Sequence, residues 1–140
     1  MDITILLIED DDVDAIGIKR SLTKRGLDNE VVRAKNGKEA LGLLKDNKVA
    51  YPFIILLDLN MPMMDGLEFL TYLREYERFK HSVVYVLTTS KSEQDILLSF
   101  ERQVAGYFIK NEVGTGYDSI IEFLEAYMKI AHFPKELGRN

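Results

Sequence analysis

Five short, largely apolar segments alternate with helical patterns along this chain, and this alternation limits the folds that it can adopt. The segments are Ile3–Ile8, Glu30–Ala34, Phe53–Leu57, Val83–Leu87 and Gly106–Ile109. Short runs rich in β-branched and aromatic residues are typical of strands that are buried on both faces. Such strands, joined by helices, form parallel sheets with right-handed crossovers. We therefore expect an α/β fold, with a five-stranded parallel sheet and helices on both faces.

Turn and capping residues predict where the helices begin and end. Gly26 is a C-terminal stop for the first helix, and Asn36–Gly37 predicts a turn before the second. The third helix follows Gly66. Ser92 is a candidate N-cap for the fourth helix, and the last is predicted over Asp118–His132. Each predicted crossover thus contains one helix.

Size and composition restrict the possible functions. A chain of 140 residues suits a single domain over residues 1–140. The net charge of −5 argues against a nucleic-acid partner. Cysteine is absent, which excludes disulfides and thiolate chemistry and fits the cytosol. The first residues lack the basic start of a signal peptide, and no apolar run could span a bilayer. We expect a cytoplasmic protein that binds neither nucleic acid nor membrane.

Polar residues follow four of the predicted strands. Glu9 and Asp10 come after the first strand, Asp58 after the third, Thr88 after the fourth and Lys110 after the fifth. In open parallel sheets, functional residues gather outside the carboxyl ends of the strands. This side of the sheet is called the carboxyl edge below. We expect the five side chains to meet there.

Three carboxylates at one edge cannot all ionise without a compensating charge. Hard oxygen ligands suit Mg²⁺, which would supply that charge. Lys110 could pair with Asp58 and later with a phosphoryl oxygen, and the Thr88 hydroxyl could donate to another. The set then fits phosphoryl transfer to Asp58.

Each residue also has a plainer interpretation. Asp58 alone could cap a turn through hydrogen bonds to backbone amides, and Glu9–Asp10 could be the solvated acidic start of a helix. Three further acidic residues, Asp11, Asp12 and Asp14, are interpreted as such solvated charges.

At these positions the chain resembles the receiver domain of response regulators. The resemblance rests on Glu9–Asp10, the block from Asp58 to Gly66, Leu87–Thr89, and Tyr107 three residues before Lys110. These motifs are jointly specific, and the match covers nearly the whole chain. The resemblance implies a flavodoxin-like sheet with strand order 2-1-3-4-5.

The resemblance also implies a mechanism. Asp58 would accept a phosphoryl group from a histidine kinase. Mg²⁺ would be held by Asp10 and Asp58, by Glu9 through water, and by the backbone carbonyl of Asn60. Thr88 and Tyr107 would be a switch pair that alters the face formed by the fourth helix, fifth strand and fifth helix for a downstream protein.

One position departs from the family pattern, because Asn111 follows Lys110 where many receivers have proline. We therefore expect a trans peptide bond there. We also expect no output domain after the fifth helix. Tyr51–Phe53, Leu87–Ser90 and the long last helix are most similar to small stand-alone receivers of phytochrome-type kinases. Apolar residues on that last helix leave a homodimer open.

Two other functions remain alternatives. The first is a phosphohydrolase with Asp58 as nucleophile, although Asn60 stands where a second acid would be expected. The second is a receiver that binds partners without being phosphorylated. We expect a signalling module that is not a turnover enzyme, because no insertion is large enough to cap a substrate.

Overall fold

The computed structural model describes residues 2–134, apart from the side chain of Thr115. Its sheet contains the five predicted strands: β1 (Thr4–Ile8), β2 (Val31–Ala34), β3 (Phe53–Leu57), β4 (Val83–Thr88) and β5 (Gly106–Ile109). All neighbouring strands are parallel, and their order is β2-β1-β3-β4-β5. The predicted fold class and strand order are confirmed.

Five α-helices connect and follow these strands. They are α1 (Asp12–Lys24), α2 (Gly37–Lys45), α3 (Gly66–Glu75), α4 (Glu93–Glu101) and α5 (Asp118–Ile130). Two 3₁₀ turns, Lys110–Glu112 and Thr115–Tyr117, lie between β5 and α5. None of the helices within residues 2–134 has the length and apolarity needed to cross a membrane.

The sheet separates two hydrophobic cores, as period-two alternation requires when both faces are covered. On one face, Leu6, Ile55 and Val84 pack with residues of α2 and α3. On the other, alternate strand residues such as Leu7 and Leu56 pack with residues of α1 and α5. Helices therefore cover both faces of the sheet.

The capping predictions are confirmed at two helices. The Ser92 hydroxyl accepts a hydrogen bond from the Asp95 amide at the start of α4. Gly26, after α1, has a φ of +73°, the left-handed conformation that favours glycine at a helix end. The Lys110–Asn111 bond is trans, as predicted. Within residues 2–134, the cis peptide bond is Tyr51–Pro52.

Two local details differ from the predictions. Gly37, predicted in a turn with Asn36, is already the first residue of α2, because Asn36 is the N-cap and accepts a hydrogen bond from the Glu39 amide. The last helix begins at Asp118 as predicted but ends at Ile130, two residues before His132. The chain turns extended at the next residue, and this lets the Phe133 ring pack edge-on against Tyr127, with ring centroids 5.8 Å apart.

Candidate functional site

The pairing of β1 with β3 brings the first two acidic motifs together. Ile8 and Leu57, the last residues of these strands, are register partners. The Asp58 amide then donates to the Ile8 carbonyl at 3.0 Å, which fixes the backbone where both strands end. Glu9 and Asp58 follow directly, so their side chains leave the carboxyl edge side by side.

Glu9, Asp10 and Asp58 form an acidic cluster. One carboxylate oxygen from each residue lies within 4.8 Å of the others. Glu9 and Asp58 are buried, whereas Asp10 is exposed. Carboxylate oxygens are hard ligands, and this spacing lets them converge on one ion. The residues therefore fit a divalent cation such as Mg²⁺ or Mn²⁺, with an open side at Asp10.

Lys110, the first residue after β5, reaches across to this cluster. Its ammonium nitrogen lies 2.8 Å from Glu9 Oε1 and 3.3 Å from Asp58 Oδ2. A third carboxylate, Asp14 on α1, is closer still at 2.7 Å. The Lys110 side chain is only 9% exposed, so these ion pairs are poorly screened by water.

The pKa values of the cluster reflect its burial first and then the charges that face one another. Burial raises the pKa of Glu9 to about 7, and the charge of Asp58 adds to this, against the opposing hydrogen bond from Lys110. Burial alone would lower the pKa of Lys110, but the hydrogen bonds to Asp14 and Glu9 outweigh it and the pKa is raised. One ammonium thus faces several carboxylates, and a divalent cation would offset the remaining charge.

The loop after β3 closes around Asp58. The Asn60 amide donates to Asp58 Oδ1 at 3.3 Å, so Asp58 also has the turn-capping bond of its plainer interpretation. Gly66 at the start of α3 fits under this loop, since a Cβ there would lie 2.6 Å from the Asp58 carbonyl oxygen. Close packing of Gly66 against this loop therefore fixes the backbone position of Asp58.

Thr88 and Tyr107 lie on neighbouring strands at the same edge. Thr88 is the last residue of β4 and is fully buried, and its hydroxyl oxygen is 3.5 Å from the Asn60 side-chain nitrogen. The half-buried Tyr107 donates its hydroxyl to the Ser90 carbonyl at 2.9 Å. The seven residues predicted for the site therefore meet at one edge of the sheet, although Tyr107 contacts the loop after β4 rather than Asp58.

The interpretation of Asp14 as a solvated charge is wrong. Its side chain is 25% exposed, pairs with Lys110 and accepts the Tyr117 hydroxyl. The spacing of Asp14, four residues after Asp10 and so one helical turn further along, could have indicated that it faces the same edge.

Arg33 at the end of β2 was also missed from the sequence. It donates through two nitrogens to the Glu9 carbonyl, at 3.0 and 2.8 Å, and pairs with Asp12 at 2.7 Å. A single arginine in a predicted strand gives no sequence signal for such a role, which depends on β2 lying beside β1. The contacts hold the acidic loop after β1 from the side.

Comparison with known proteins shows the family to which the chain belongs. Residues 5–115 match the family described as response regulator receiver domain. The chain belongs to this family, whose members serve two-component signalling. Receiver domains are phosphorylated by histidine kinases and bind Mg²⁺ or Mn²⁺ in an acidic pocket. Members of the receiver family are generally not true enzymes.

Individual proteins with similar sequences are also regulatory proteins. The chain is 31% identical over 127 residues to the response regulator Rcp1 of Synechocystis sp. (strain PCC 6803), covering 88% of this chain and 86% of Rcp1. It is 35% identical over 109 residues to a probable methanogenesis regulatory protein, FilR2, of Methanothrix harundinacea, covering 76% of this chain and 70% of FilR2.

Solved structures include close matches. The phosphorylated cyanobacterial phytochrome response regulator RcpA superposes with a TM-score of 0.86 at 31% identity, covering 96% of this chain and all of RcpA. The Mn²⁺-bound form of Rcp1 gives 0.83 at 29% identity, covering 94% of this chain and 99% of Rcp1. By sequence and by structure, this receiver domain is close to these small response regulators.

Proposed function

We propose that Asp58 is the phosphoacceptor of this receiver domain and that a histidine kinase supplies its phosphoryl group. The observation that carries the proposal is the position of Asp58. Its carboxylate is buried within the acidic cluster and lies 3.3 Å from the Lys110 ammonium. A carboxylate so placed can attack phosphorus while the Lys110 ammonium and a bound divalent cation offset the charge of the phosphoryl oxygens.

Phosphoryl transfer from the kinase to Asp58 involves no redox step. An Asp58 oxygen forms a bond to phosphorus as the bond between phosphorus and the histidine nitrogen of the kinase breaks. The electron pair of that bond stays on the histidine nitrogen. Lys110 pairs with a phosphoryl oxygen, and the Thr88 hydroxyl donates to another. In slow self-dephosphorylation, water attacks phosphorus, the bond between phosphorus and the Asp58 oxygen breaks, and inorganic phosphate leaves while Asp58 returns to its carboxylate form. No free substrate is turned over.

Mg²⁺ is the proposed metal of the site. Asp10 and Asp58 would hold it directly, Glu9 through water, and Asn60 by its backbone carbonyl. The ion would offset the charge that builds up on the phosphoryl oxygens during transfer. The acidic cluster and its single buried ammonium support this assignment, because the carboxylates outnumber the cation that neutralises them.

Thr88 and Tyr107 form the proposed switch. Movement of Thr88 toward a phosphoryl oxygen would withdraw its hydroxyl from the Asn60 side chain and change the space behind it. Tyr107, on the neighbouring strand β5, would then adjust its bond to the Ser90 carbonyl. The surface formed by α4, β5 and α5 would carry the change to a downstream protein.

The kinase is proposed to be of the phytochrome type. The likeness to RcpA, a phytochrome response regulator, and to Rcp1 over most of both chains supports this. We propose further that residues 1–140 act as a single cytoplasmic receiver whose output is contact with another protein. Phosphotransfer from a purified, autophosphorylated phytochrome kinase would test the pairing, with a kinase of another sensor class as the control.

The phosphoacceptor is tested with acetyl phosphate and Mg²⁺. Native protein should gain one phosphoryl group, measured by intact mass, and the adduct should be base-labile. Asp58→Asn should gain none, and EDTA should prevent the gain in native protein. Equal modification of Asp58→Asn would contradict the assignment. Release of many phosphates per protein from a generic phosphate ester would instead favour the phosphohydrolase alternative.

A further inference from the structure

Lys110 is held more tightly by two other carboxylates than by the proposed phosphoacceptor. Its ammonium lies 2.7 Å from Asp14 Oδ2 and 2.8 Å from Glu9 Oε1, but 3.3 Å from Asp58 Oδ2. The Asp58 contact is thus the longest of the three. A phosphoryl group on Asp58 would have to draw Lys110 away from partners it already has.

Tyr117 holds Asp14 in place from the other side. Its hydroxyl donates to Asp14 Oδ1, while Lys110 occupies Oδ2, so both oxygens of Asp14 are used. The Tyr117 ring packs over Gly17 one turn further along α1, where an added Cβ would come within 3.1 Å of the ring. Tyr117 itself has a φ of +69°, a conformation that non-glycine residues rarely adopt.

These contacts join three separate parts of the chain. Asp14 belongs to α1, Lys110 follows β5, and Tyr117 ends the turn that precedes α5. The hydrogen bonds from Lys110 and Tyr117 offset the burial of Asp14, and the pKa of this carboxyl is lowered. Asp14 is therefore a charged partner for Lys110 and not a neutral one.

We propose that Asp14 and Tyr117 are positioning residues that draw Lys110 toward α1, so that its ion pair with Asp58 is the longest of its three in the unphosphorylated protein. Phosphorylation of Asp58 then requires Lys110 to exchange its bond with Asp14 for a bond with a phosphoryl oxygen. The proposal rests on the proposed function of Asp58 and adds a competition for the lysine. Weakening the hold of Asp14 should favour the phosphorylated state.

The first experiment measures the affinity for beryllofluoride, an analogue of the phosphoryl group, at saturating Mg²⁺. Asp14→Asn should bind it roughly tenfold more tightly than native protein, because the competing carboxylate charge is gone. Tyr117→Phe should bind it roughly threefold more tightly, since Asp14 loses one hydrogen bond and can turn toward water. Self-dephosphorylation should slow in the same order.

Two matched variants separate this effect from general ones. Glu39→Gln removes one carboxylate charge from the first turn of α2 without touching Lys110, and Tyr72→Phe removes a hydroxyl from the exposed face of α3. Both should leave the beryllofluoride affinity unchanged. Unchanged or weaker binding in Asp14→Asn, or an equal gain in Glu39→Gln, would overturn the proposal.

A second readout reports on Lys110 directly. Modification by an amine-reactive reagent, followed by mass spectrometry, should proceed several-fold faster at Lys110 in Asp14→Asn than in native protein, with exposed Lys19 as the internal reference. Partial unfolding would accelerate many lysines together, and so would count against the proposal. This experiment needs no phosphorylation, so it still tests the hold on Lys110 if native protein fails to bind beryllofluoride and the proposed function fails.

Discussion

A cationic side chain lies at each of the two edges formed by the strand ends, and the groups that it contacts differ between them. At the carboxyl edge, Lys110 is surrounded by carboxylates that outnumber it. At the opposite edge, called the amino edge, Arg74 of α3 donates to four backbone carbonyls that precede β4 and β5. These belong to Lys80, Ser82, Arg102 and Gln103, at 2.8 to 2.9 Å.

The difference shows what each edge is suited to do. Neutral carbonyls accept four hydrogen bonds from the Arg74 guanidinium but do not cancel its positive charge, and burial lowers the pKa of Arg74. The carboxyl edge keeps an excess of negative charge, which favours a metal cation but disfavours the folded state in its absence. We therefore expect substitutions at the amino edge to change stability, and substitutions at the carboxyl edge to change phosphorylation.

Replacement of Arg74 should give the largest loss of stability. Arg74→Met keeps the aliphatic stem but leaves four carbonyls without their donor, and it should lower the free energy of unfolding by about 3 kcal/mol. Urea unfolding measures this loss. Phosphorylation by acetyl phosphate should persist in the folded protein.

The control for this variant is Arg20→Met on the exposed face of α1, which should stay within about 0.5 kcal/mol of native protein. If Arg74→Met were as stable as Arg20→Met, the amino edge would not depend on the guanidinium. If it lost phosphorylation while folded, the division between the two edges would be wrong.

The sequence predicts the carboxyl edge better than it predicts the amino edge. Glu9, Asp58 and Lys110 each directly follow an apolar run, and parallel strands bring such positions together whatever the details of packing. Arg74 carries no such signal, because its partners are backbone carbonyls whose positions depend on how α3 packs beside β4 and β5. Asp14 and Tyr117 were missed for a similar reason, since their contact depends on the turn between β5 and α5.

A substitution at Gly66 tests whether the carboxyl edge is held by packing rather than by hydrogen bonds. In Gly66→Ala the new Cβ would lie 2.6 Å from the Asp58 carbonyl oxygen and 2.8 Å from Leu59 Cα, so the backbone must shift. We expect a loss of about 2 kcal/mol in urea unfolding, together with slower phosphorylation.

Gly42→Ala on α2 is the matched control. Nothing lies within 4 Å of the added Cβ there, so the substitution should stabilise the protein by about 0.5 to 1 kcal/mol through better helix propensity. Equal behaviour of the two alanine variants would mean that the loop after β3 can relax freely, and that its packing does not position Asp58.

The raised pKa of Glu9 should also appear as a pH dependence of metal binding. Burial raises this pKa from 4.5 to about 7, so between these pH values the metal-free folded protein binds a proton that the unfolded chain does not. The stability that this proton contributes is therefore lost as pH rises through 7. A cation must displace that proton. The Kd for Mg²⁺ should therefore rise by up to about tenfold per pH unit below 7, and stay constant above it.

Calorimetric titration at several pH values measures this dependence. In Glu9→Gln the slope below pH 7 should disappear, because the proton that competes with the metal is no longer present. A native protein whose Kd is constant down to pH 5 would show that Glu9 does not meet the metal, even through water.

The smallest expected effect is a gain in stability at the carboxyl edge. The charge of Asp58 contributes to the raised pKa of Glu9, so Asp58→Asn should relieve repulsion and stabilise the metal-free protein by roughly 1 kcal/mol. Native protein should recover this difference in stability when Mg²⁺ is added, because it binds the ion more tightly than the variant.

Urea unfolding in EDTA and in saturating Mg²⁺ measures the two stabilities. Glu75→Gln, at an exposed position of α3, controls for the loss of one negative charge. A variant less stable than native protein in EDTA would mean that the Lys110 contact to Asp58 outweighs the repulsion between Glu9 and Asp58. The side chains at both edges would then stabilise the folded protein.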